Sequence, residues 1–175
     1  MSETFGLIDS DQKQKNRSRR AMPPFSSILQ ISLFWSLCCG IACLIMLVYF
    51  RGWILNGQTY QVATFYAAGA AMATYPAAYF ARLITKRAGP SRYLIIMVLL
   101  CLSTLFFTAC IFAFQYRLYF AQWHGAPFSK LWLLQQTWTA AGAVYTYIVL
   151  GLRLYFPIAL VGLFVTSWWV NRLPD

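Results

Sequence analysis

Long uncharged apolar runs alternate along this chain with short basic, glycine or proline breaks. The first run extends from Ile28 to Phe50, the second from about Val62 to Phe80 or Ile84, and the third from Tyr93 to Tyr116. A helix rises 1.5 Å per residue and the hydrocarbon layer is roughly 30 Å thick, so each run is long enough to cross a bilayer. Arg51-Gly52-Trp53 closes the first run, Asn56-Gly57 predicts a turn, and Gly89-Pro90 separates the second run from the third. Between Arg117 and Lys130 lies an aromatic segment with Tyr119, Phe120, Trp123 and His124, broken by Gly125 and Pro127. Such amphipathic rings settle at the headgroup level.

The stretch from Lys130 to Arg172 has Arg153 as its one internal charge. As a single helix it would be roughly 60 Å long, twice the hydrocarbon thickness, so it is not one simple crossing. Gln135, Thr139, Gly142, Thr146 and Arg153 recur at helical spacing and form a weakly polar stripe. Two courses fit. In one, residues 131–150 lie along or re-enter the outer face, the chain bends near Gly151 or Pro157, and it then crosses once. In the other it crosses twice, turning at Gly151-Leu152-Arg153. Leu152, Leu154, Tyr155 and Phe156 are poor material for a hairpin at a membrane face, which favours the first course.

The predicted fold is therefore all-α: a polytopic membrane helical bundle of about four transmembrane helices over residues 25–173. An interfacial or kinked helical extension precedes its last span. Residues 1–24 are polar and charged without apolar periodicity, and are expected to form a disordered basic cytoplasmic tail. Arg19-Arg20 and Gly40-Ile41-Ala42-Cys43 faintly resemble export signals, but the apolar run continues past Cys43 to Phe50, against a cleaved signal peptide.

Composition excludes a water-soluble domain, since 60% of residues are apolar and 10% charged, against about 25% charged in ordinary globular chains. The net charge of +10 is distributed at the ends of the apolar runs, not in a groove-like patch, so nucleic acid is not an expected partner. Lys13, Lys15, Arg17, Arg19 and Arg20 precede the first run, and Arg82, Lys86, Arg87 and Arg92 cluster between the second and third. Positive charge favours the cytoplasmic side, which orients both termini inward, with Trp168-Trp169 in the inner aromatic belt and Trp53, Trp123, Trp132 and Trp138 outside. A bacterial inner membrane is the expected location.

The four acids are Glu3, Asp9, Asp11 and Asp175, so no carboxylate side chain lies between positions 12 and 174. That removes carboxylate acid–base chemistry, a proton-relay carboxylate and acidic cation sites. The cysteines Cys38, Cys39, Cys43, Cys101 and Cys110 contain no CxxC, and nine residues put Cys101 and Cys110 on opposite helix faces. With His124 the sole histidine, neither a metal site nor a haem or other cofactor is expected, and no catalytic residue is nominated.

Two features remain. Gly69, Ala73, Ala77 and Ala81 repeat every four positions, with Ala63, Ala67 and Ala71 on a neighbouring row. Small residues at this spacing form a helix-packing seam, either inside the bundle or between two copies, and Pro76 is expected to kink the same helix near Met72. The second feature is unbalanced positive charge on the outer side. Arg117, His124, Lys130 and Arg153, with Gln135, Thr139 and Thr146 as neutral partners, make a candidate anion- or lipid-binding site. The leading expectation is a non-catalytic accessory subunit or assembly scaffold of a larger membrane complex, in contact with membrane lipids and other subunits or its own copies. The alternative is a small transporter, channel or lipid-handling protein with an anionic or lipid ligand near Arg153.

Overall fold

Small side chains decide how closely helices meet in lipid, where burying apolar surface between them gains little. The computed structural model describes residues 25–85, 89–123, 125 and 128–173. The tail 1–24, His124, Lys86 and Arg87 lie outside the described residues. Helix α1, Phe25–Ile45, continues into a π-helical turn, Met46–Phe50; α2 is Gly57–Ile84 and α3 is Pro90–Phe120. Helix α4, Lys130–Thr146, continues through a second π turn, Tyr147–Gly151, and a 3-10 turn, Leu152–Tyr155, before α5, Ile158–Asn171. No strand occurs among the described residues.

Local chemistry starts these helices. Asn56 caps α2 by accepting from the Thr59 amide at 3.0 Å, and Ser129 caps α4 by accepting from the Trp132 amide at 3.1 Å. Pro90 sits in the first turn of α3, where its missing N–H costs nothing. Helix α2 runs through Pro76 without interruption.

Phe25–Phe50 and Pro90–Trp123 are each long and apolar enough to cross a membrane. Lys130–Tyr155 and Ile158–Asn171 qualify together as a third span, bent by 79° at the break before Ile158. The bend thus falls at Pro157, the later of the two places the sequence offered. Helix α2 has the length of a span but not the apolarity, because alanine, glycine, threonine and tyrosine take the places of larger aliphatics.

What α2 lacks in apolarity it supplies in close packing. Ser36 and Ser32 of α1 donate to the Ala67 and Ala71 carbonyls, both at 2.9 Å, and Gly40 sits opposite Ala67. The row Ala63, Ala67, Ala71 therefore fits α1. The other row, Gly69, Ala73, Ala77 and Ala81, is buried within the same chain. Gly69 meets Thr108 of α3, Ala73 and Ala77 pack with Trp35 and Leu100, and Ala81 packs with Ile96. Trp35 donates from its indole nitrogen to Thr104 Oγ1 at 3.0 Å, and the Thr104 hydroxyl in turn donates to the Leu100 carbonyl at 2.7 Å. Helix α5 closes on α1 at Gly162, which faces Cys38 and the Trp35 ring.

Two residues of the basic cluster between α2 and α3 depart from their expected place among headgroups. Arg92 is 1% exposed and Arg82 7%. Arg92 stands one turn before Ile96, and Arg82 one turn after Ala78, so each shares a helix face with a member of the apolar cluster at that end of the bundle. The stems of these two arginines are buried, where the sequence pattern has them facing lipid headgroups.

Candidate functional site

A π-helical turn widens the helix and leaves carbonyls without their regular partners, which is why such turns recur at binding sites. Here the two π turns border one cavity of about 180 Å³. Leu47, Val62, Leu150 and Leu154 supply aliphatic wall, Phe112 and Tyr147 aromatic wall, and Arg51 the single charged side chain.

Three carbonyls of the π turns around the cavity have partners from elsewhere in the chain. Tyr66, fully buried on α2, donates its hydroxyl to the Gly151 carbonyl at 2.8 Å. The Trp53 amide donates to the Leu47 carbonyl at 3.0 Å, and Arg51 Nη2 reaches the Leu150 carbonyl at 3.4 Å. Glycine is required at 151, since a Cβ there would lie 2.6 Å from the Tyr66 hydroxyl and 2.7 Å from the Tyr147 ring. The Tyr147 and Tyr155 hydroxyls meet at 3.1 Å, and Tyr155 is joined to Thr108 Oγ1 at 2.9 Å. Phe112 stacks on Tyr147 with centroids 5.6 Å apart, Tyr66 meets Phe112 edge-on at 5.8 Å, and Tyr66 lies 4.9 Å from Tyr155. The hydroxyls of Tyr66, Tyr147 and Tyr155 are thus hydrogen-bonded, and the free space is bounded mainly by carbon, with Arg51, Tyr116 and Thr146 also in the lining. Beyond Tyr155 a second apolar cavity, about 270 Å³, opens between α3 and α5 against Trp35, Cys101 and Phe156.

The residues nominated from sequence are divided between separate places. Arg117 stands 5.8 Å from the Trp132 ring centroid and lines a third cavity with Trp132 and Gln136. Gln135 Oε1 accepts from the Gly125 amide at 2.9 Å, tying the preceding loop to α4. Lys130 is exposed in the first turn of α4, and Thr139 is half-buried further along it. Thr146 lines the Arg51 cavity and donates to its own helix at the Gly142 carbonyl. Arg153 is exposed on the 3-10 turn and lines none of the three cavities. Among the described residues no three His, Cys, Asp or Glu side chains gather.

Sequence reasoning missed Arg51, Tyr66, Tyr147 and Tyr155. Arg51 reads as punctuation after an apolar run. Tyr147 and Tyr155 are eight residues apart, about 80° round a regular helix, and the π and 3-10 turns between them bring their hydroxyls together.

A second surface lies on α4, in which only Ala143 is buried. Ala141 and Gly142 form an exposed notch, with nothing within 4 Å of where a Gly142 Cβ would stand. Exposed Trp138 and Tyr145 flank it. Comparison with protein-family models, curated proteins and solved structures gives no match for this chain.

Proposed function

We propose that this chain is a non-catalytic accessory or scaffold subunit of a membrane complex, crossing the bilayer four times with both termini cytoplasmic. The observation that supports it is the open notch at Ala141–Gly142. Two small-residue rows on α2 are filled by α1 and α3, whereas among the described residues no side chain comes within 4 Å of the Gly142 position in the notch on α4. Small residues between aromatic flanks accept the ridge of another transmembrane helix at close range, the geometry that drives association in lipid. The partner is a transmembrane helix of another polypeptide.

Gly142→Leu fills the notch without touching the fold. The expected result in mild detergent is loss of co-purifying membrane polypeptides with a melting temperature equal to or above the parent's. Retention of the same partners by the variant, or purification of the native chain alone at every detergent condition, overturns the proposal.

The four-span course rests on helix α2, whose 28 residues are packed between α1 and α3, and on the basic residues around Gly89-Pro90. A reporter active only outside the cytoplasm should be silent when fused after Leu173 and active when inserted after Asn56. Activity at Leu173 would refute both-termini-inside.

A further inference from the structure

We infer that the cavity between the two π turns holds one aliphatic tail of an anionic amphiphile, with Arg51 receiving its carboxylate or phosphate head. This site stands independently of the docking surface on α4.

The walls choose the tail. Leu47, Val62, Leu150, Leu154 and the edge of Phe112 present carbon, and the nearby tyrosine hydroxyls are already bonded to Gly151, to Thr108 and to one another. Tyr66 has committed its proton to Gly151, and the Tyr147 and Tyr155 hydroxyls are bonded to each other; a polar ligand would face mostly carbon, and burying unpaired polar groups is costly. About 180 Å³ is below the range of roughly 300–1,000 Å³ that encloses a whole small ligand. One tail enters and the head stays at the mouth.

The mouth chooses the charge. Arg51 is exposed, and among the described residues its hydrogen bond is the 3.4 Å contact to the Leu150 carbonyl and there is no acidic side chain. A guanidinium in this position has donors to spare and binds carboxylate or phosphate in fork geometry. The aromatic side chains do not make a cage for a cationic head. Tyr66, Phe112 and Tyr147 turn their faces on each other, and Arg51 repels positive charge. Leu47 from one π turn and Tyr147, Leu150 and Gly151 from the other line the cavity.

Trp53 lines the same cavity and gives a direct readout. The purified full chain in neutral detergent is titrated with dibromostearate, with its uncharged analogue dibromostearyl alcohol, and with brominated phosphatidylglycerol, following tryptophan quenching. A saturable component lost in Trp53→Phe is expected for the anionic probes. Arg51→Gln should weaken those probes by roughly tenfold and leave the alcohol unchanged. Leu150→Phe and Val62→Phe, which narrow the cavity from its rim and its wall, should block all binding at Trp53. Saturation by dibromostearate but not by the phospholipid identifies a free single-chain acid, and the reverse identifies a membrane lipid. Equal affinity for acid and alcohol, or no Trp53-dependent component with any probe, overturns the inference.

Discussion

Gly69→Ala should destabilise the bundle, although helix propensity alone predicts the opposite sign. Replacing a helical glycine by alanine normally favours the helix by about 1 kcal/mol. At this position the added Cβ would stand 2.9 Å from both the Cα and the Cβ of Thr108, and closer still to its hydroxyl. Backbone cannot rotate out of the way as a side chain tip can. Helices α2 and α3 must separate, and α2 is also bound to α1 through Ser32 and Ser36. Overpacking of a tight core costs about 1–3 kcal/mol and sometimes more, so the clash outweighs the propensity gain. Gly69→Leu enlarges the same conflict and is expected to yield no folded protein. Gly142→Leu is the control, since its neighbourhood is empty; with no clash to oppose it, the propensity gain should appear there as about 0.5–1 kcal/mol of added stability. Melting in detergent followed by circular dichroism measures all three. A Gly69→Ala protein more stable than the parent would show that α2 and α3 do not meet as described.

That contrast also marks what the sequence made legible. The repeat Gly69, Ala73, Ala77, Ala81 announces close approach by a neighbouring helix, and the pattern is local, so it can be read without a structure. Which helix approaches is tertiary information. Thr108 fills the row from α3, and nothing in the residues 69–81 distinguishes that from a second copy of the chain. The punctuation of spans was equally visible, in Asn56-Gly57 and Gly89-Pro90, and so was a bend at either Gly151 or Pro157. The candidate site was legible only in part. Charge counting selects basic residues by position along the chain and cannot weigh which of them border a cavity. It nominated Arg153, which lies exposed on the 3-10 turn, and read Arg51 as the end of a span. It also placed Arg82 and Arg92 among headgroups, because helical phase relative to α1 and α5 is settled only when those helices pack. π turns leave no local signature comparable to a proline or a capping box, so the cavity they border was invisible.

Tyr66→Phe and Tyr66→Ala together separate two contributions to the bent final segment. Tyr66 is fully buried and its hydroxyl is the donor that satisfies the Gly151 carbonyl, where the second π turn ends. Hydrogen bonds between helices in lipid average about 0.6 kcal/mol, because the unfolded chain also finds partners. The Gly151 carbonyl belongs to an irregular turn walled by the Tyr147 ring, so a replacement donor has little access. Leaving such a group unpaired costs about 1–3 kcal/mol. The expected loss for Tyr66→Phe is therefore nearer about 1–2 kcal/mol than 0.6. It should be accompanied by faster amide exchange confined to residues 147–155. Tyr66→Ala removes in addition a ring in contact with Phe112, Tyr147 and Tyr155, and large-to-small changes of this kind cost about 3–5 kcal/mol. If Tyr66→Phe is neutral while Tyr66→Ala is severe, ring packing alone holds the segment from Tyr147 to Tyr155 against α2 and α3. If the two variants lose similar amounts, the hydroxyl bond to Gly151 is the fastening, and the width of the cavity beside Arg51 depends on a single proton donated across 85 residues of chain.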